Sequence, residues 1–141
     1  MPHLSSILLV DDDPTTNFLN QLLLRRMAVA DELRVAENGA DALRLLGQPA
    51  PAGPVNPAPA LILLDVNMPV MNGIEFLQAW QQLPATRRQG TVVVVLTTSL
   101  HERDMQQMQR LPVTTVVDKP LTEAKVHAIL DQYFRQHVPG I

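Results

Sequence analysis

The chain has 141 residues, 46% of them hydrophobic and 18% charged, the composition of one globular domain with enough apolar material for a buried core. Its net charge of −3, with no basic cluster beyond the pairs Arg25-Arg26 and Arg87-Arg88, excludes the electrostatic footprint of a nucleic-acid or anionic-membrane binder. The lack of cysteine excludes disulfides, thiolate nucleophiles and cysteine metal sites, and no apolar run nears the ~18 residues of a membrane span.

Ile7-Leu8-Leu9-Val10 is an apolar run without alternation, as in a strand buried on both faces of a parallel sheet. Asp11, Asp12 and Asp13 halt it, and with no Lys or Arg ahead of it the segment does not read as a signal peptide. The expectation is a soluble, cytoplasmic chain. Asp13 as N-cap and Pro14 at the first helical position open a helix from Pro14 to Met27, with Phe18, Leu19, Leu22 and Leu23 as its expected buried stripe. Leu33 to Ala36 is a more mixed strand, suited to a sheet edge. Asn38 caps a second helix through Leu46, ended by Gly47. Gln48 to Pro59 contains five prolines and predicts a stiff, extended, solvent-exposed insert.

Leu61 to Leu64 and Val92 to Leu96 repeat the unalternating pattern of inner strands. Between them a helix from Asn72 or Gly73 to Leu83 presents Phe76, Leu77, Trp80 and Leu83 on one face. A sparse helix follows at about Leu100 to Arg110, with only Leu100, Met105 and Met108 apolar. Val113 to Val117 suits the second edge, and Leu121 to Gln136 forms a last helix through Val126, Ile129, Leu130 and Tyr133. Strands alternating with helices predict one α/β domain over residues 1–141, its parallel sheet covered on both faces by right-handed crossovers.

In such a sheet ligands bind outside the carboxyl ends of the strands. Asp11 to Asp13, Asp65, Thr97 and Lys119-Pro120 stand at those ends. Close carboxylates repel by roughly 4 kcal/mol per pair at 4 Å and an effective dielectric near 20, so a site that gathers them calls for a hard cation or a raised pKa. With oxygen donors and no His or Cys nearby, Mg²⁺ is the natural occupant. Lys119 is one of only two lysines, the other being Lys125, and its flexible stem is long enough to reach a phosphate or a carboxylate in the crevice.

The segments Leu8-Leu9-Val10-Asp11-Asp12-Asp13-Pro14, Leu63-Leu64-Asp65-Val66-Asn67-Met68-Pro69-Val70-Met71-Asn72-Gly73, Val95-Leu96-Thr97-Thr98 and Asp118-Lys119-Pro120-Leu121 resemble, in order, the four signature segments of response-regulator receiver domains. The similarity covers essentially the whole chain. It implies a doubly wound, flavodoxin-like (βα)₅ fold with strand order 2-1-3-4-5. It also implies that Asp65 is the phosphoacceptor, attacking a phosphoryl group in line. Asp12 and Asp65 would ligate Mg²⁺ directly with the backbone carbonyl of Asn67, and Asp11 would act through water. Lys119 would pair with Asp65 and then with the phosphoryl oxygens, while the Thr97 hydroxyl would meet the phosphoryl group and couple its arrival to loop movement. Thr98 is an equal candidate on local grounds. Many receivers carry Tyr or Phe three residues before the lysine; here Val116 has no ring to swing.

The implied function is a stand-alone switch in two-component signalling or a phosphorelay rather than a metabolic enzyme. The donor would be a histidine kinase or histidine phosphotransfer protein, and output would pass to a protein target, with no direct nucleic-acid contact and no membrane insertion. Two alternatives stand beside it. A haloacid-dehalogenase-like phosphatase also forms an aspartyl phosphate, but carries a second carboxylate where this chain has Asn67. A pseudo-receiver binds partners without being phosphorylated. His3, His101, His127 and His137 show no ligand spacing and read as surface residues; Trp80 and Tyr133 read as core.

Overall fold

The computed structural model describes residues 3–47, 58–88, 90–98 and 102–134. Five parallel strands, β1 (Leu4–Val10), β2 (Ala30–Ala36), β3 (Leu61–Asp65), β4 (Val92–Thr97) and β5 (Thr115–Asp118), form one sheet in the order β2-β1-β3-β4-β5. The helices are α1 (Pro14–Met27), α2 (Gly39–Gly47), α3 (Gly73–Trp80), α4 (Ala85–Arg88), α5 (Glu102–Met108) and α6 (Glu123–Tyr133). This is the expected flavodoxin-like fold. The short α4 was not anticipated, because the expected helix ended at Leu83 and nothing was assigned between it and β4.

The unalternating runs do what their pattern requires. Along β1, β3 and β4 successive side chains point to opposite faces and both faces are buried. Leu8, Val10, Ile62, Leu64, Val93 and Val95 pack into one layer with Phe76, Leu77 and Trp80 of α3. Ile7, Leu9, Leu61, Leu63, Val94 and Leu96 pack into the other with Leu24 of α1 and Val126, Ile129 and Leu130 of α6. The edge strands β2 and β5 are mixed, as expected.

Local chemistry fixes the helix starts. The Asp13 side chain accepts from the Thr15 amide and the Thr16 hydroxyl. Asn38 Oδ1 accepts from the Asp41 amide, Asn72 and Glu75 form a reciprocal capping box, and Thr122 accepts from the Lys125 amide. Gly73 starts α3 where the helix meets the end of β3. Its amide donates to the Val66 carbonyl at 2.9 Å, and a Cβ there would lie 2.6 Å from the Asp65 carbonyl oxygen and 2.9 Å from Val66 Cα. Of the proline-rich insert only Ala58 and Pro59 fall among the described residues; the expectation of an extended segment over 48–57 lies outside them.

The predicted inner stripe of α1 is corrected. Phe18, Leu19 and Leu22 are 64%, 55% and 49% exposed, and Leu23 is only half-buried. The buried positions are Asn17, Asn20 and Leu24. The densest apolar arc points outward because the Asn17 amide is turned inward to donate to the Asp11 carbonyl at 2.8 Å. A hydrogen bond at the end of β1 therefore outranks the hydrophobic count in setting the helix rotation.

Leu24→Ala should cost about 2–5 kcal/mol in chemical denaturation, whereas Leu22→Gln should stay within about 0.5 kcal/mol of the parent. The reverse ranking would mean that α1 is rotated. Gly73→Ala should cost about 1–3 kcal/mol, because a methyl group against two backbone atoms must push α3 away from β3. Denaturation midpoints equal to the parent's would show that this approach is looser than it looks.

Candidate functional site

Sheet register builds the site. Val10 of β1 pairs with Leu64 of β3, so the next residues, Asp11 and Asp65, stand on neighbouring strands roughly 5 Å apart. Asp65 pairs with Leu96 of β4, and Thr97 pairs with Asp118 of β5, which brings Lys119 to the same end. The Lys119 amide donates to the Thr97 carbonyl at 2.9 Å.

The side chains converge there. Lys119 Nζ lies 2.7 Å from Asp11 Oδ2 and 3.3 Å from Asp65 Oδ1, so it bridges both carboxylates and sits closer to Asp11. Asp11 Oδ1 also accepts from the Asp13 amide at 3.0 Å. Asp11, Asp65 and Thr97 are buried, whereas Asp12, Asn67 and Thr98 are exposed at the mouth. Burial pushes the Asp65 carboxyl above the usual range; Lys119 offsets this in part, and the charges of Asp11 and Asp12 add to it. Burial also works against the Lys119 charge, but the Asp11 hydrogen bond and the charges of Asp11 and Asp65 outweigh it. The net shift of the lysine is upward.

One carboxylate oxygen from each of Asp11, Asp12 and Asp65 lies within 4.8 Å of the others. At an effective dielectric of 20 a pair at that separation repels by about 3.5 kcal/mol and a closer pair by more, with water screening reducing the figure where Asp12 is exposed. One ammonium faces three carboxylates and leaves a negative excess. An all-oxygen donor set with that excess fits a hard divalent cation such as Mg²⁺.

Val116 stands apart from this cluster. It is 39% exposed on β5 and lines a separate cavity of about 240 Å³ with Met105, Met108 and Val113. Met108 is the buried anchor of α5, and Met105 is exposed. His3 pairs with Asp31 and His127 with Glu123, both on the surface and away from the acidic cluster.

Three supporting residues went unassigned at the level of sequence. Asn17 holds the Asp11 carbonyl, and its own Oδ1 is buried without a hydrogen bond among the described residues. Lys125 donates to the carbonyls of Asp118 and Pro120, at 2.8 and 3.0 Å, and so clasps the turn on both sides of Lys119. Its spacing of six residues from Lys119, on the first turn of a helix, was the available signal. In the β3–α3 loop, Val70 adopts a left-handed backbone (φ 67°) and is 83% exposed, a conformation that disfavours a β-branched residue.

The sequence profile of the response regulator receiver domain matches residues 7–131. The response regulator Rcp1 of Synechocystis sp. is 36% identical over 113 residues, 80% of this chain and 75% of that protein. A two-component response regulator from Cytophaga hutchinsonii superposes with a TM-score of 0.80 at 29% identity, covering 95% of this chain and 99% of the other. The bacteriophytochrome response regulator AtBRR superposes at 0.74 with 30% identity, covering 97% of each chain. With its strand order, its acidic strand ends and a profile match over most of its length, the chain belongs to the response regulator receiver domain family.

Proposed function

We propose that residues 1–141 act as one cytoplasmic receiver unit, a phosphorylation-controlled switch in which Asp65 takes a phosphoryl group from a histidine kinase or histidine phosphotransfer protein. The observation that carries this reading is a buried Asp65 whose carboxylate lies 3.3 Å from Lys119 and beside Asp11 and Asp12. An Asp65 oxygen forms the new bond to phosphorus, the phosphorus–nitrogen bond to the donor imidazole breaks, and its electron pair stays with the imidazole.

Asp12, Asp65 and the Asn67 carbonyl would hold Mg²⁺ directly, and Asp11 through water. The ion's contribution there is to neutralise charge on the phosphoryl oxygens. Lys119 already spans Asp11 and Asp65 and can turn to a phosphoryl oxygen without leaving the pocket. Thr97, buried at the end of β4, would offer its hydroxyl, and Thr98 at the mouth would move with it. With Val116 in place of a ring, the response would fall on the segment after Thr97 and on α5. Among the described side chains of α5 only Met108 is buried, so few contacts oppose its displacement.

The exposed apolar face of α1, Phe18, Leu19 and Leu22, lies beside the acidic end and suits a donor protein's apolar surface. The similarity to AtBRR makes a bacteriophytochrome kinase the first donor to test.

With Mg²⁺ and acetyl phosphate the chain should gain one acid-stable, base-labile phosphoryl group, read by intact-protein mass spectrometry. Asp65→Asn or excess chelator should abolish it; labelling that survives Asp65→Asn would move the acceptor elsewhere. A pH series gives a second measurement. Because burial raises the Asp65 pKa, its contribution to stability is complete below the ordinary carboxylate range and is lost as pH rises through the folded value. In chelated buffer Asp65→Asn should therefore melt above the parent at neutral pH, and the gap should close toward acid. A gap that widens toward acid would mean that the Lys119 attraction, not burial, governs Asp65.

A further inference from the structure

We propose that the cavity between α1 and the β5–α6 connection is a binding site for a small amphipathic carboxylate, bound by its apolar body, by a hydrogen bond to Asn20 and by Arg26. This goes beyond the phosphoacceptor reading and does not depend on it.

The cavity holds about 500 Å³, inside the range of roughly 300–1,000 Å³ common for small-ligand sites. Leu19 and Leu23 of α1, Leu96 of β4 and Leu121 beyond β5 form its apolar walls. Asn20 breaks that lining. As a residue it is more than nine-tenths buried, and its amide lines the cavity, where its polar atoms stay within reach of solvent. One turn further along the same inward face, Leu24 fills its place with hydrocarbon. A donor or acceptor entering the cavity can take the place of water at that amide, and an apolar group seated there would leave the amide covered without a partner.

Arg26 gives the site its charge. It lines the cavity and has no ion pair or hydrogen bond among the described residues, and α1 carries no acidic residue at all. Helical side chains lean toward the N-terminus, which carries its guanidinium back toward the turn of Asn20. At the opposite end of the cavity Lys119 is already committed to Asp11 and Asp65 and is not the anchor. Along α1 the lining runs from Thr16 to Arg26, about 15 Å at 1.5 Å per residue. A flat apolar helix from a protein partner would match the outer leucines but would leave Asn20 unanswered. A slender molecule with a hydrogen-bonding group and a terminal carboxylate answers each feature.

N-octanoylglycine is a suitable probe, since it joins an acyl chain, an amide and a carboxylate in that order. It should be titrated below its micelle concentration into the full ¹⁵N-labelled chain in Mg²⁺ buffer, followed by NMR and calorimetry. Saturable one-site binding is expected, with shifts at the Asn20 side-chain amide, Leu23 and Leu121. Asn20→Leu, Arg26→Gln and the probe's methyl ester should each weaken binding about tenfold, and Arg25→Gln, outside the lining, by less than about twofold. Asn20→Asp, which keeps the shape and adds a like charge, should weaken it as well, so repacking alone cannot mimic the result. Probe binding and phosphoryl labelling are scored as separate measurements on the parent chain, so failure of one leaves the other standing. Absence of saturable binding overturns the proposal. So does equal binding by Asn20→Leu and Arg26→Gln, or a set of shifts confined to Phe18 and Leu22, which would mark α1 as a surface for protein partners instead.

Discussion

The register that sets Val10 against Leu64 also sets Asp11 beside Asp65, and it has little freedom to change. A slip of one residue would turn every buried side chain of the strand to the opposite layer. Both layers here are closely filled by large residues, from Leu8 and Ile62 on one side to Ile7 and Leu63 on the other. Two carboxylates are thus held together by hydrophobic packing some distance from them, against their own repulsion. The reactivity of the site is a by-product of where the core insists the strands must lie.

What surrounds the pair makes that arrangement tolerable. Lys119 spans both carboxylates, and Lys125 holds the carbonyls on either side of Lys119, so the first turn of α6 and the lysine turn are tied to one another. From the opposite flank Asn17 holds the Asp11 carbonyl, which in turn sets the rotation of α1. Gly73 lets α3 begin directly against the backbone of Asp65 and Val66. Three helices are therefore locked to the acidic cluster by polar or steric contacts at their starts, and only farther along by leucines and aromatics.

How much of this was legible beforehand follows from the kind of signal involved. The inner strands could be read because burial on both faces leaves an unbroken apolar run, and β1, β3 and β4 each have one. Asp13, Asn38 and Asn72 could be read as caps or helix starts because their chemistry is local. The rotation of α1 could not, since periodicity weighs leucines and takes no account of a backbone carbonyl that an asparagine must reach across the β1–α1 connection. The roles of Lys125 and Gly73 were hidden for the same reason: each depends on a contact made only once α6 or α3 has docked. The gathering of Asp11, Asp65, Thr97 and Lys119 at one end was foreseeable from topology alone, because parallel strands expose their carboxyl ends together.

The two edges of the sheet carry a further consequence. An edge strand offers a row of unpaired amides and carbonyls on which another strand can grow. Along β2 that row is flanked by Asp31, Glu32 and Arg34, with Glu32 and Arg34 paired to each other and Asp31 to His3. A sixth strand there would have to strip water from three charged side chains. At β5 the side chains are mostly threonine and valine, but the strand is only four residues long and offers little to pair with. The sheet thus stops at five strands for two unrelated reasons, charge at one margin and brevity at the other.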